Sequence, residues 1–162
     1  MAKVEFDANP GPMQVSIAVE STSGEILDRD MREIPVPDYT TTGLAISTPA
    51  IVRARTALEW RRMSAAANPP PTATREFRRT DRLLIRFEVY APGAAPAAVQ
   101  ARLLNRGGDA IVDVPVQPVG GANIRQVDLA LANLAPGEYL VEIQATLEDQ
   151  TASELLAFRL TS

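Results

Sequence analysis

The chain has 162 residues and a formal charge of −4, with neither histidine nor cysteine and no apolar run long enough to span a membrane as a helix. That length fits one domain or two very small ones and buries roughly 70% of the unfolded surface, so a core needs no staples. The missing imidazole and thiol exclude a Ser-His-Asp triad, a cysteine nucleophile, disulfides and zinc sites built from His and Cys.

The first residues, Met1-Ala2-Lys3-Val4-Glu5-Phe6, lack the apolar stretch of a secretory signal, and Lys3 to Phe6 reads as a strand that begins at once, as in a segment of a longer chain. Two further strands follow, Met13 to Glu20 and Glu25 to Val36, joined by a hairpin turn at Ser21-Thr22-Ser23-Gly24. Val15, Ile17 and Val19 alternate onto one face. Asp28 and Asp30 share a strand face, as calcium ligands or a general acid/base pair would. No Asx-rich loop with a sharp-turn glycine surrounds them, so the pattern reads as a solvated face with cross-strand ion pairs.

A helix comes next. Thr56-Ala57-Leu58-Glu59 fits a capping box, and Ala, Leu, Met and Arg continue it until Asn68-Pro69-Pro70-Pro71. The proline run and Thr72-Ala73-Thr74 read as an extended linker or as a surface loop within one domain. Trp60 is expected to anchor the helix on a sheet rather than to serve as a ligand platform. Ser47, Thr48 and Ser64 have no base nearby, and a Ser-Lys dyad would have to recruit Lys3, the sole lysine.

Six strands are expected between residues 77 and 161. Arg82 to Tyr90 turns Leu83, Ile85, Phe87 and Val89 inward and leaves Arg82, Arg86 and Glu88 to water. Ala98 to Leu104, Ala110 to Val116 and Arg125 to Leu131 follow. Glu138 to Glu148 shows the clearest alternation, with Tyr139, Val141, Ile143, Ala145 and Leu147 on its buried face, and Glu154 to Leu160 closes the series. The glycine-rich pieces Pro92-Gly93, Gly107-Gly108 and Gly120-Gly121 precede no helix signal, so they are hairpin turns rather than phosphate cradles. Short strands punctuated by Gly and Pro, with no room for βαβ crossovers, predict an all-β fold: an immunoglobulin-like or fibronectin-like antiparallel β-sandwich with one short helix. The expected division is residues 1–70, N-terminal strands plus helix, and residues 75–162, the sandwich.

Charge is uneven. Between residues 53 and 86, nine arginines face three carboxylates, a local charge of +6 that leaves −10 for the rest. The acidic total and the lack of interleaved aromatics argue against nucleic acid. A protein partner, or a neighbouring domain of the same parent chain, is the preferred reading, with Arg61, Arg62, Arg78 and Arg79 as the contacts.

Three stretches carry a family resemblance: Gly43-Leu44-Ala45-Ile46-Ser47-Thr48-Pro49, then Arg75 to Phe87, then Leu134-Ala135-Pro136-Gly137-Glu138-Tyr139. Together they resemble the C-terminal region of bacterial exported proteins with a von Willebrand factor A-related domain, common in Acidobacteria, over about residues 40 to 161. The resemblance implies an accessory β-sandwich tail of an extracellular or envelope protein. No Asp-x-Ser-x-Ser adhesion motif occurs here, so it carries over no metal ligand. In the last stretch Pro136 and Gly137 suit a tight turn, and Tyr139 is expected to bring its hydroxyl to backbone like a tyrosine corner. The sequence therefore predicts a non-catalytic interaction or spacer module with no catalytic residue, metal or cofactor. The alternative is a carbohydrate-binding sandwich, which would rest on Trp60, Tyr39 and Tyr90. A hydrolase built from Asp, Glu and Ser alone lacks a convincing carboxylate pair.

Overall fold

The computed structural model describes residues 6–40, 43–92, 96–121 and 123–162. The strand expected at Lys3 to Phe6, apart from Phe6 itself, and the glycine of the Pro92-Gly93 turn lie outside those residues, as does Lys3. The elements in chain order are β1 (Gly11–Glu20), β2 (Ile26–Val36), β3 (Ala45–Ile46), β4 (Ala50–Ala54), α1 (Ala57–Ala65), β5 (Glu76–Arg78) and β6 (Arg82–Tyr90). They continue with β7 (Ala98–Asn105), β8 (Ala110–Val114), β9 (Val116–Pro118), β10 (Ile124–Ala130), β11 (Gly137–Leu147) and β12 (Gln150–Thr161).

By contact density the chain divides at residue 41, not at the proline run. The first unit holds the hairpin of β1 and β2, paired antiparallel from Gly11–Val36 to Glu20–Ile26 and closed by the expected turn, where the Ser21 amide reaches the Glu25 carbonyl. The second unit, residues 42–162, is an all-β sandwich. One sheet runs β3-β6-β10-β9, with β4 also on β6, and the other runs β5-β12-β11-β7-β8. Residues 42–70 belong to this unit because β4 and α1 are built on β6, a pairing between segments some 30 residues apart that no local pattern announces. All ladders are antiparallel except β5 on β12, which is parallel.

The core lies between the sheets and is made of the alternating sets the sequence predicts: Leu83, Ile85, Phe87 and Val89 from β6, and Val141, Ile143 and Ala145 from β11. β12 adds Leu156, Phe158 and Leu160, and β5 adds Phe77, whose ring meets Phe158 edge-on at 6.2 Å. Tyr139 stacks on Phe158 at 5.6 Å and donates its hydroxyl hydrogen bond to the Ala135 carbonyl at 2.7 Å, the tyrosine-corner geometry expected of that stretch. Serine hydroxyls serve the scaffold. Where the edge strand breaks between β3 and β4, the Ser47 hydroxyl accepts from the Glu88 amide, and Ser64 donates to the Arg61 carbonyl.

The proline run is a brace. Thr72 donates its amide to the Ile51 carbonyl on the free side of β4, and Pro69 is buried, so residues 69–72 cover an edge with a segment that offers few amides for further pairing.

One turn stores strain. β11 and β12 join through the two-residue loop Glu148-Asp149, with Leu147 paired to Gln150, and Glu148 sits at φ 54 in the left-handed region. A residue with a Cβ costs about 1–2 kcal/mol there, and glycine relieves most of it after its larger unfolded-state entropy is counted. Glu148→Gly is expected to raise the unfolding free energy by about 0.5–1 kcal/mol in urea titration.

Candidate functional site

The arginine-rich segment folds into two parts with opposite fates. Helix α1 follows β4 and lies over the outer face of β4, β6 and β10, whose registers set Ala50, Arg86 and Gln126 in one row and Val52, Leu84 and Asp128 in the next. Its start is a capping box with a one-residue offset: the Glu59 amide bonds the Thr56 hydroxyl at 3.1 Å, while the Glu59 carboxylate accepts from the amide of Arg55 at 2.7 Å.

None of the helix side chains is fully buried, so an apolar stripe does not hold these nine residues. Polar staples do. Trp60 donates its indole N–H to Asp128 at 3.1 Å, and the Arg82 guanidinium lies 4.4 Å from the centre of the Trp60 ring. Arg82 also grips Asp128 with two bonds of 2.6 and 2.7 Å, which hold its own pKa above the usual arginine value.

At the other end stands Arg86, expected in water and found only 8% exposed. Nε bonds the Gln126 side-chain carbonyl; Nη1 bonds the carbonyls of Ala66 and Ala67; Nη2 bonds those of Met63 and Ser64. All five N–H donors of the guanidinium are thus used, four of them on carbonyls at and just beyond the helix C-terminus. Burial pushes its pKa below the usual arginine value. The alternation rule sends Arg86 to the outer face correctly, but the same sheet face is where the helix docks.

Arg75 and Arg79 are also engaged, Arg75 on the carbonyls of Thr72 and Thr74, Arg79 on that of Ala132 through Nε and Nη2. Five arginines of the segment, Arg53, Arg55, Arg61, Arg62 and Arg78, have no side-chain partner among the described residues. Of the four contacts predicted from the sequence, Arg61 and Arg62 are exposed on α1, Arg78 ends β5, and Arg79 is tied to a turn.

Arg78 joins two residues that the prediction omitted. Arg53 pairs with Leu83, so its side chain points to the face of β4 that turns toward the second sheet, and Arg55 lies two residues on. The three line a cleft of 540 Å³ with Thr74, Thr80 and Thr161, walled by β4 on one side and by β5 and the end of β12 on the other. Two carboxylates are near. Asp81 is buried and accepts from the Arg78 amide at 2.9 Å, and Glu76 stands 3.9 Å from Arg159. Both line the cleft with the three guanidiniums, which leaves a formal excess of one positive charge among the lining side chains. The i, i+2 spacing of Arg53 and Arg55 is a sequence signal for a shared face; their meeting with Arg78 depends on β5 lying beside β12.

Asp28 and Asp30 take local partners: Asp28 accepts from the Arg29 amide, and Asp30 pairs with Arg32 at 2.6 Å along the same strand rather than across the ladder. Among the described residues no three Asp or Glu side chains gather as a metal site would require. Comparison with models of known families and with curated proteins finds no match to this chain.

The buried arginine makes a measurable demand. Arg86→Met removes all five donors and leaves carbonyls unpaired, which is expected to lower stability by about 2–4 kcal/mol. As Trp60 is the sole tryptophan, the loosened helix is expected to shift its fluorescence to the red at denaturant concentrations where the native protein shows no change.

Proposed function

We infer that this chain is a non-catalytic interaction module that docks a carboxylate-rich segment of a protein partner, or of a neighbouring domain of its parent chain, onto its arginine face. The observation that carries this reading is that the guanidiniums lining the β4–β5 cleft, those of Arg53, Arg55 and Arg78, have no partner among the described residues. Arginine presents a planar fork suited to carboxylates, and three such forks lining one cleft suit an extended acidic peptide. The resemblance to exported von Willebrand factor A-related proteins supports an extracellular or envelope setting, where such a module would act as an accessory tail.

The carbohydrate reading draws less support. Trp60 already spends its indole N–H on Asp128 and one ring face on Arg82, Tyr90 donates to Glu88, and Tyr139 is committed to Phe158 and Ala135.

A labelled peptide of alternating Glu and Asp serves as the probe, with fluorescence anisotropy as the readout. The full chain is expected to bind it with an affinity that falls as salt rises, and Arg53→Glu/Arg55→Glu/Arg78→Glu to weaken binding at least about tenfold. Equal binding by that triple variant sinks the cleft. Tighter binding of a single-stranded oligonucleotide of equal charge would reassign the surface to nucleic acid.

A further inference from the structure

The first unit offers a second surface, independent of the arginine face. Among the described residues, β1 and β2 form a ribbon of two strands only, with no strand on the outer edge of β2. Such a ribbon is marginal in water, and stable sheets need three or more strands or a packed face. Here every residue of β2 from Ile26 to Pro35 is exposed, including Leu27 and Met31 at 63% each.

Two prolines reveal which amides face the free edge. Pro12 stands opposite Pro35, and residues without N–H cannot exchange the bonds of a hydrogen-bonded pair. That pair is therefore of the non-bonded type. Because types alternate along an antiparallel ladder, so are Gln14–Glu33, Ser16–Met31 and Ala18–Arg29. The N–H and C=O groups of Arg29, Met31 and Glu33 point away from β1.

A second copy of the same strand fits this edge in one register. Antiparallel pairing about a two-fold axis through Met31 sets Arg29 opposite Glu33 and Asp30 opposite Arg32 of the other copy, each twice by symmetry, and brings no like charges together. Shifting the axis to Asp30, Arg32, Arg29 or Glu33 places that charged residue against itself. In the Met31 register each outward amide from Arg29 to Glu33 meets a carbonyl: Arg29 and Glu33 exchange bonds, and Met31 pairs with its own counterpart.

We propose that the chain forms a two-fold dimer by pairing β2 edge to edge, giving a continuous four-stranded sheet β1-β2-β2-β1. The interface is isologous, as dimer symmetry requires. Backbone bonds supply the affinity. Charge supplies the register, since the exposed Asp30–Arg32 pair within one strand exchanges for the same pairing between copies at little net gain.

Sedimentation equilibrium of the full chain over a concentration series tests this. The expected mass is twice 17.5 kDa. Arg29→Glu, which turns two attractive contacts into repulsive ones, is expected to raise the dimer dissociation constant at least about tenfold, and adding Glu33→Arg to restore it. Met31→Pro deletes the axial amide without touching a bond to β1 and is expected to leave a monomer. A wild-type monomer at every concentration overturns the proposal, as does a dimer indifferent to both Arg29→Glu and Met31→Pro.

Discussion

The seat of α1 on the sandwich depends on a buried cation. Arg86 sits between the outer face of β6 and the end of α1, and its five donors close Gln126 and four main-chain carbonyls at once. A helix of nine residues is too short to persist in water alone, and this one brings no fully buried side chain to its contact. Thr56 and Glu59 cap its start, and its position on the sheet is set by the bonds of Arg86 at the finish and by that of Trp60 to Asp128 before it. Fixing α1 in turn fixes the return of the chain, so that Pro69 to Thr72 can cover the edge of β4. Most arginines near a surface gain little from their neighbours. Arg86 differs because the helix seals it from water, where unpaired donors or acceptors would be expensive.

The two units answer the same requirement differently. In the sandwich, the central strands hide one row of side chains against the facing sheet, and β6 also buries Leu84 and Arg86 of its other row because the helix covers its outer side. In the hairpin, β2 is exposed along nearly its whole length. Backbone pairing is as regular in one as in the other. What separates them is apolar burial, the term that makes a sheet stable in water.

Arginine serves three purposes in this chain. Arg82 and Arg86 are structural, holding a helix by cation–π contact and hydrogen bonds. Arg102, Arg106 and Arg159 form ion pairs with Glu142, Glu138 and Glu76 across the second sheet, which favour the register of β7, β11, β12 and β5 more than they add to stability. Arg53, Arg55, Arg61, Arg62 and Arg78 do neither among the described residues, and a guanidinium of that kind is available to another molecule. Composition alone cannot sort one group from another, since all carry the same charge.

Much of the sandwich is legible in the sequence because a strand with one buried face must alternate. Val141, Ile143 and Ala145, or Leu83, Ile85, Phe87 and Val89, announce both the strand and its inward side, and Ser21 to Gly24 announces its hairpin. The capping box at Thr56 and the hydroxyl contact of Tyr139 are equally local, since each joins residues three or four apart. The short strands β3 and β4 escape because two to five residues are too few to show a period, and the proline run is mistaken for a boundary because its partner, Ile51, lies about twenty residues away. Of the site, the sequence by itself determined a concentration of arginines and the absence of imidazole and thiol chemistry. Tertiary structure alone decided which arginines are spent and which are free, because a guanidinium's partners are carbonyls and carboxylates brought to it by strand pairing, and pairing joins residues that are remote in the chain.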